Sequence, residues 1–185
     1  VNLGFNPVGV LTLRVPLEGS RAEPSRVAAF WRDLVKSVEA LPGVHSASVA
    51  RGLPIESWNG QFFVNQDQPD PPPGHVPDAN YVVVGPRYFE TMQMPLRVGR
   101  PFDDHDTAGG LPVVIVNEEL ARTQWPGQTA IGKRIKMGSP SVTTWPWLTV
   151  VGVSGSAMTQ GPQNGVRAEV YVPYQQFPWL LVPEH

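Results

Sequence analysis

Proline occurs 21 times in this 185-residue chain and glycine 18 times. Both interrupt regular backbone, so the chain can fold only as many short elements joined by stiff turns, which excludes a helical bundle. One stretch escapes the interruption. Val27, Phe30, Trp31, Leu34, Val38 and Leu41 recur at helical spacing, and such a stripe predicts an amphipathic helix with one buried face. Pro24 suits its first turn, and Pro42-Gly43 stops it. Residues 8–15 before it alternate and are β-branched, and residues 44–51 after it carry Val44, Ala47 and Val49. Residues 8–53 are therefore expected to form a β-α-β unit, its helix laying the apolar stripe on a sheet.

Beyond residue 56 the elements shorten. Residues 61–65 and 80–84 read as strands, separated by the polar, proline-rich loop 66–77 with Pro71-Pro72-Pro73. Residues 86–92 read as a short helix in which Tyr88, Phe89 and Met92 share a face. The run 112–116 is a buried type of strand. Asn117 then caps a helix over 118–124, whose first turn carries Glu118 and Glu119. Trp125-Pro126-Gly127 ends it. Residues 133–137 and 147–153 are expected to pair, and 169–173 supplies a last strand. The fold class is α+β: a β-α-β part followed by a second mixed α/β lobe with short strands.

The charge balance argues against a nucleic-acid partner: 14 basic and 16 acidic side chains give a net charge of -2. The basic run Lys133-Arg134-Ile135-Lys136 reads as a polar strand edge. Absence of cysteine excludes disulfides, zinc–cysteine sites and thiol nucleophiles. No apolar run reaches the length of a membrane span. The chain opens at Val1 with neither a methionine nor a signal-peptide pattern, as a segment cut from a longer protein would.

Few residues invite chemistry. Asp103-Asp104-His105-Asp106 holds metal-ligating types, but four consecutive residues rarely converge on one ion and no second cluster stands elsewhere. His45, His75 and His185 are isolated. Gly152-Val153-Ser154-Gly155-Ser156 follows a strand yet lacks both the spacing of a nucleophile elbow and a helix after it. Glu118 and Glu119 are adjacent on a helix and face different ways. Trp145-Pro146-Trp147 and Trp179 could mark a contact surface or cap a small core. Nothing here reads as an active site: no catalytic, cofactor-binding or metal-binding residue is assigned, and no cofactor is expected.

The order of short motifs is more informative. Leu3-Gly4-Phe5-Asn6-Pro7 leads into Gly9-Val10-Leu11-Thr12-Leu13-Arg14. Leu41-Pro42-Gly43-Val44, Leu53-Pro54, Tyr88-Phe89-Glu90-Thr91-Met92 and Gly99-Arg100-Pro101-Phe102 follow. Then come Val114-Ile115-Val116-Asn117-Glu118, Trp125-Pro126-Gly127, Ile131-Gly132-Lys133-Arg134-Ile135, Val150-Val151-Gly152-Val153 and Glu169-Val170-Tyr171-Val172-Pro173-Tyr174. In this order the series resembles the MacB-like periplasmic core domain of FtsX/MacB-type ABC transporter permeases, especially those without a fused ATPase.

The resemblance implies a place between the first two membrane helices of a permease, on the periplasmic face of the bacterial inner membrane. It implies a porter-like β-α-β part over 1–53, and a second, sabre-like lobe over 54–185 that ends in a C-terminal tail. It also implies a further strand-helix-strand that would complete the porter-like part. Phe177, Trp179, Leu180, Leu181 and Val182 either begin that piece or pack back on the domain. The implied role is non-catalytic: conformational change relayed during export or release of a lipoprotein or small molecule, with hinges near Leu53-Pro54 and Pro173. Implied partners are the permease's transmembrane helices, a second copy, a periplasmic adaptor and a separate ATPase subunit. A peptide- or lipid-binding module and a metal-dependent hydrolase at 103–106 are the alternatives.

Overall fold

A computed structural model describes residues 3–16, 23–53, 59–72, 74–157 and 165–181. The described elements run α1 (Pro24–Glu39), β1 (Ala50–Arg51), β2 (Gly60–Asn65), β3 (Asp78–Val84), α2 (Tyr88–Thr91), β4 (Leu96–Gly99), β5 (Val113–Asn117), α3 (Glu118–Gln124), β6 (Arg134–Met137), β7 (Leu148–Ser154), β8 (Glu169–Pro173) and a closing 3-10 turn, Pro178–Leu181.

Six strands close into a barrel in the order β3-β2-β6-β7-β5-β8, with β8 returning to β3. Two of its seams, β5–β7 and β3–β8, are parallel, and the remaining four are antiparallel. β5 occupies one edge of β7. The other edge takes β6 at Leu148 and Thr149, then β4 at Gly152–Ser154. β3 likewise offers one edge to β2 and then to β1. The ring thus carries two short overhangs, β1 and β4.

Alternation along each strand sorts the side chains into two clusters. Phe63, Ala79, Tyr81, Val83, Val114, Val116, Ile135, Met137, Leu148, Val150, Val170 and Val172 form one cluster. Every barrel strand contributes to it, and only inside a closed sheet do side chains from opposite sides of the ring meet. Leu120 of α3 and the following Trp125 join it, as do Phe177, Leu180 and Leu181. The tail therefore packs back on the barrel as far as Leu181, while Val182 lies outside the described residues. Val84, Val113, Ile115 and Tyr171 face the other way. They meet Tyr88, Phe89, Met92, Met94 and Phe102, a second apolar layer outside the ring.

The mixed α/β character and most of the short elements match the sequence expectation. α3 and β8 have the predicted bounds, and the Asn117 side chain caps α3 by accepting the Leu120 amide at 3.0 Å. β6 and β7 pair antiparallel. β4 was not foreseen.

The β-α-β unit requires correction. Residues 8–15 form no strand, and of 44–51 only Ala50–Arg51 pair, with β3 of the barrel. A strand exists only where another strand takes up its backbone groups, and no described strand lies beside 8–15. Leu11 is 90% exposed and Val8 76%, while Val10 rests on the outer apolar layer. α1 forms as predicted but has no sheet of its own to cover. It buries Val27 and rests Ala28 and Trp31 on the barrel cluster, while Phe30, Leu34 and Val38 stay half-buried and Leu41 is exposed.

Candidate functional site

The acidic loop folds around a cation from its own chain. Arg100 follows β4 and reaches Asp106 through two bonds, Nη1 to Oδ2 at 2.7 Å and Nη2 to Oδ1 at 2.8 Å. Asp106 Oδ2 also accepts the Asp103 amide at 3.0 Å, and Asp103 accepts from the amide of His105 at 2.8 Å. That backbone bond, with Arg100 beside it, holds the Asp103 carboxyl below its ordinary range, while Asp106 raises the Arg100 guanidinium. The loop is a buried carboxylate clamped by a forked guanidinium. Asp104 and His105 point outward. Among the described residues no three His, Asp or Glu side chains converge in metal-ligand fashion.

The remaining candidates separate. Glu118 pairs with Arg97 at 3.2 Å and Glu119 with Arg122 at 2.7 Å, two solvent-facing bridges on different sides of α3. Ser154 is buried at the end of β7. His45 and His75 are exposed and far apart in the chain, and His185 lies outside the described residues. Trp147 lies beneath Lys136, 5.4 Å from ring centre to ammonium. Trp145 belongs to a run of ring contacts, Tyr81–Trp145–Phe177–Trp179, which leads from the barrel interior to a half-exposed indole.

Two polar arrangements had not been singled out. The first is sealed under the outer layer where β3, β8 and β5 meet. Glu169 is fully buried. Its carboxylate accepts from Asn80 Nδ2 at 3.3 Å and from the Tyr171 hydroxyl at 2.8 Å, while its amide donates to Asn117 Oδ1 at 3.1 Å. Burial, reinforced by the Glu169 charge, pushes the Tyr171 phenol well above its ordinary value. Glu169 and Tyr171 are two apart on one strand, so their shared face was legible; burial of the acid was not.

The second links α1 to the turn before α2. Arg87 bonds Glu39 at 2.6 Å, the His45 carbonyl at 2.9 Å, and Glu90 through two bonds at 2.8 and 3.0 Å. Arg87 lowers the Glu90 carboxyl in turn. An open cleft of about 410 Å³ lies elsewhere, lined by Phe5, Gln93, Pro95, Arg97, Glu118 and Val166 among others. Its two charged walls, Arg97 and Glu118, neutralise each other. Among the described residues, no nucleophile, base and oxyanion donor come together.

No curated protein matches the sequence significantly. Among solved structures, the periplasmic region of MacB from Actinobacillus actinomycetemcomitans matches with a TM-score of 0.54 at 14% identity, over 83% of this chain and 59% of that one. The extracellular domain of the noncanonic ABC-type transporter YknZ from Gram-positive bacteria matches with a TM-score of 0.49 at 16% identity, over 86% of this chain and 70% of that one. At 14% identity the likeness to the MacB region is one of fold alone, and the chain spans 59% of that region's length. No helix among the described residues is long and apolar enough to cross a membrane. The model of the MacB-like periplasmic core domain matches residues 10–184, nearly the whole chain. On that match the chain belongs to the MacB-like periplasmic core domain family, the extracytoplasmic part of MacB/FtsX-type ABC transporter permeases.

Proposed function

We propose that the domain is a mechanical relay in such a permease, passing conformational change from the membrane to the periplasm during export or release of a lipoprotein or small molecule. In this reading residues 1–53 supply the porter-like face and 54–185 the second lobe. The working partners are the permease's own transmembrane helices, a second copy of the domain, a periplasmic adaptor and a separate ATPase subunit. The domain performs no chemistry.

One observation carries the reading. Residues 8–15 alternate like a strand and expose Leu11 and Leu13 at 90% and 65%, and the stripe of α1 is only half covered. Apolar surface in this pattern suits a domain that meets further protein. These 185 residues hold no cysteine, so a single Leu11→Cys reports cleanly once any cysteine elsewhere in the permease is replaced. In the isolated domain it should react with a maleimide at the rate of a free thiol. In the intact, membrane-embedded permease it should be strongly protected. Equal rates in both would refute the contact.

The open cleft beside Phe5 and Arg97 favours a second reading, a peptide- or lipid-binding module. Saturable binding of a fluorescent peptide or fatty acid, lost on Phe5→Ala, would favour it over the relay.

A further inference from the structure

α1 meets the barrel at a joint whose two sides are held in different ways. After Glu39 the chain turns through Pro42-Gly43, with Gly43 at φ 84°. Residues 46–49 are then stitched to the turn that opens α2. The Gly85 amide donates to the Val49 carbonyl at 2.7 Å, the Ser48 hydroxyl donates to the Pro86 carbonyl at 2.9 Å, and the Ser46 and Thr91 hydroxyls share a short hydrogen bond. At Ala50–Arg51 the chain enters the sheet. From residue 46 onward the connector therefore moves with the barrel, ahead of the Leu53-Pro54 position at which the sequence suggested a hinge.

On the other side of the turn, α1 is seated unevenly. Its N-terminal half buries Val27 and packs Ala28 and Trp31 on the core, close to the Pro178–Leu181 turn. In its C-terminal half Leu34 and Val38 are half-buried, and beyond it Leu41 is exposed. Here Arg87 crosses to Glu39 while gripping Glu90 with a second edge of the same guanidinium. Glu39 also accepts the Ala47 amide at 3.2 Å, so helix end, connector and barrel meet at one carboxylate. Arg87 sits at φ 63°, in the left-handed region that a residue with a Cβ occupies at a cost. Glycine would take that backbone without strain; what arginine adds is reach. Side-chain exposures of 40% for Arg87 and 26% for Glu39 leave the pair open to competing ions.

We propose that Arg87 is a salt-sensitive latch on the C-terminal half of α1. When it opens, that half lifts from the barrel while the N-terminal half stays seated, and the Pro42-Gly43 turn takes up the motion. The inference concerns this chain's own mechanics and stands whether or not the domain serves transport.

Amide hydrogen exchange on the 185-residue chain tests it, comparing wild type, Glu39→Gln and Arg87→Gly. The glycine variant removes the latch and relieves the strained backbone together, so the fold is retained; Glu39→Gln removes the charge alone. Exchange over residues 34–41 should rise roughly two- to five-fold in both variants, the range an exposed ion pair sustains. It should rise similarly in wild type at about 1 M salt, where the screening length is ~3 Å. Exchange in β5, β7 and β8 should stay fixed throughout. Unchanged rates over 34–41 would overturn the latch. So would a rise shared equally by the barrel strands, which would make Arg87 a stabiliser of the whole fold.

Discussion

Asn80 and Glu169 stand opposite each other across the parallel seam that closes the barrel, and the asparagine amide donates to the buried carboxylate. The seam thus carries a polar lock on its outer face and an apolar one within, where Ala79, Tyr81, Val170 and Val172 pack. A buried acid tolerates its position only while donors surround it.

Asn80→Ala should therefore weaken the barrel. It removes a donor from Glu169 and strands the Asn59 amide, which donates to Asn80 Oδ1 at 3.0 Å. The expected loss is about 1–3 kcal/mol in urea unfolding. A loss within experimental error would mean that Glu169 is held by its other contacts.

Alkali should destabilise the domain. Burial raises the phenols of Tyr81, Tyr88 and Tyr171 above their ordinary value and pushes Tyr174 up to about 12. Tyrosines of the unfolded chain ionise near ~10, while the folded protein keeps these protons. Stability from this source is complete below that pH and is lost as pH rises through it toward the folded values. Urea midpoints at about pH 8 and pH 10.5 should differ, and Tyr171→Phe should narrow the gap. Identical midpoints for wild type would contradict the assignment.

At the acidic loop, Arg100→Ala leaves Asp106 buried without its fork. Because Arg100 itself is 44% exposed, the cost should fall below that of a fully buried pair, at about 1–2 kcal/mol. Arg100→Lys should recover only part of it, since an ammonium cannot satisfy both carboxylate oxygens in the same plane. Full recovery by lysine would show that charge alone matters there.

Leu11→Ser and Leu13→Ser should change the isolated domain's stability by no more than about 0.5 kcal/mol, as expected for exposed positions. A larger loss in thermal or urea unfolding would place these leucines in the domain's own core.

What could be read from the sequence was what local chemistry decides. Asn117 before two glutamates named the start of α3, the apolar run at 112–116 named a buried strand, and 169–173 was legible as a last strand. Residues 8–15 misled because alternation specifies which face a segment would bury and says nothing of whether a neighbour is there to pair with it. Barrel closure escaped for a related reason: the β3–β8 register joins segments 89 residues apart at Asn80 and Glu169. Arg87 gave no warning, because a left-handed arginine is fixed by tertiary bonds and no residue type announces it. The Arg100 fork was closer to view, six residues before Asp106 in a loop otherwise weighed for metal.

The β3–β8 seam also dictates an order of assembly. Four of the six barrel seams can form from chain that ends at β7, but β3–β8 and β5–β8 both need residues 169–173, and the ring stays open until these are available. Until then β3 and β5 each present a bare, largely apolar edge, the kind that recruits foreign strands. Closure is thus a late, long-range event in folding, of the sort that slows β-rich chains and leaves their intermediates prone to clumping. A product of synthesis interrupted between β7 and β8 would carry most of the barrel strands and yet remain an unsealed sheet.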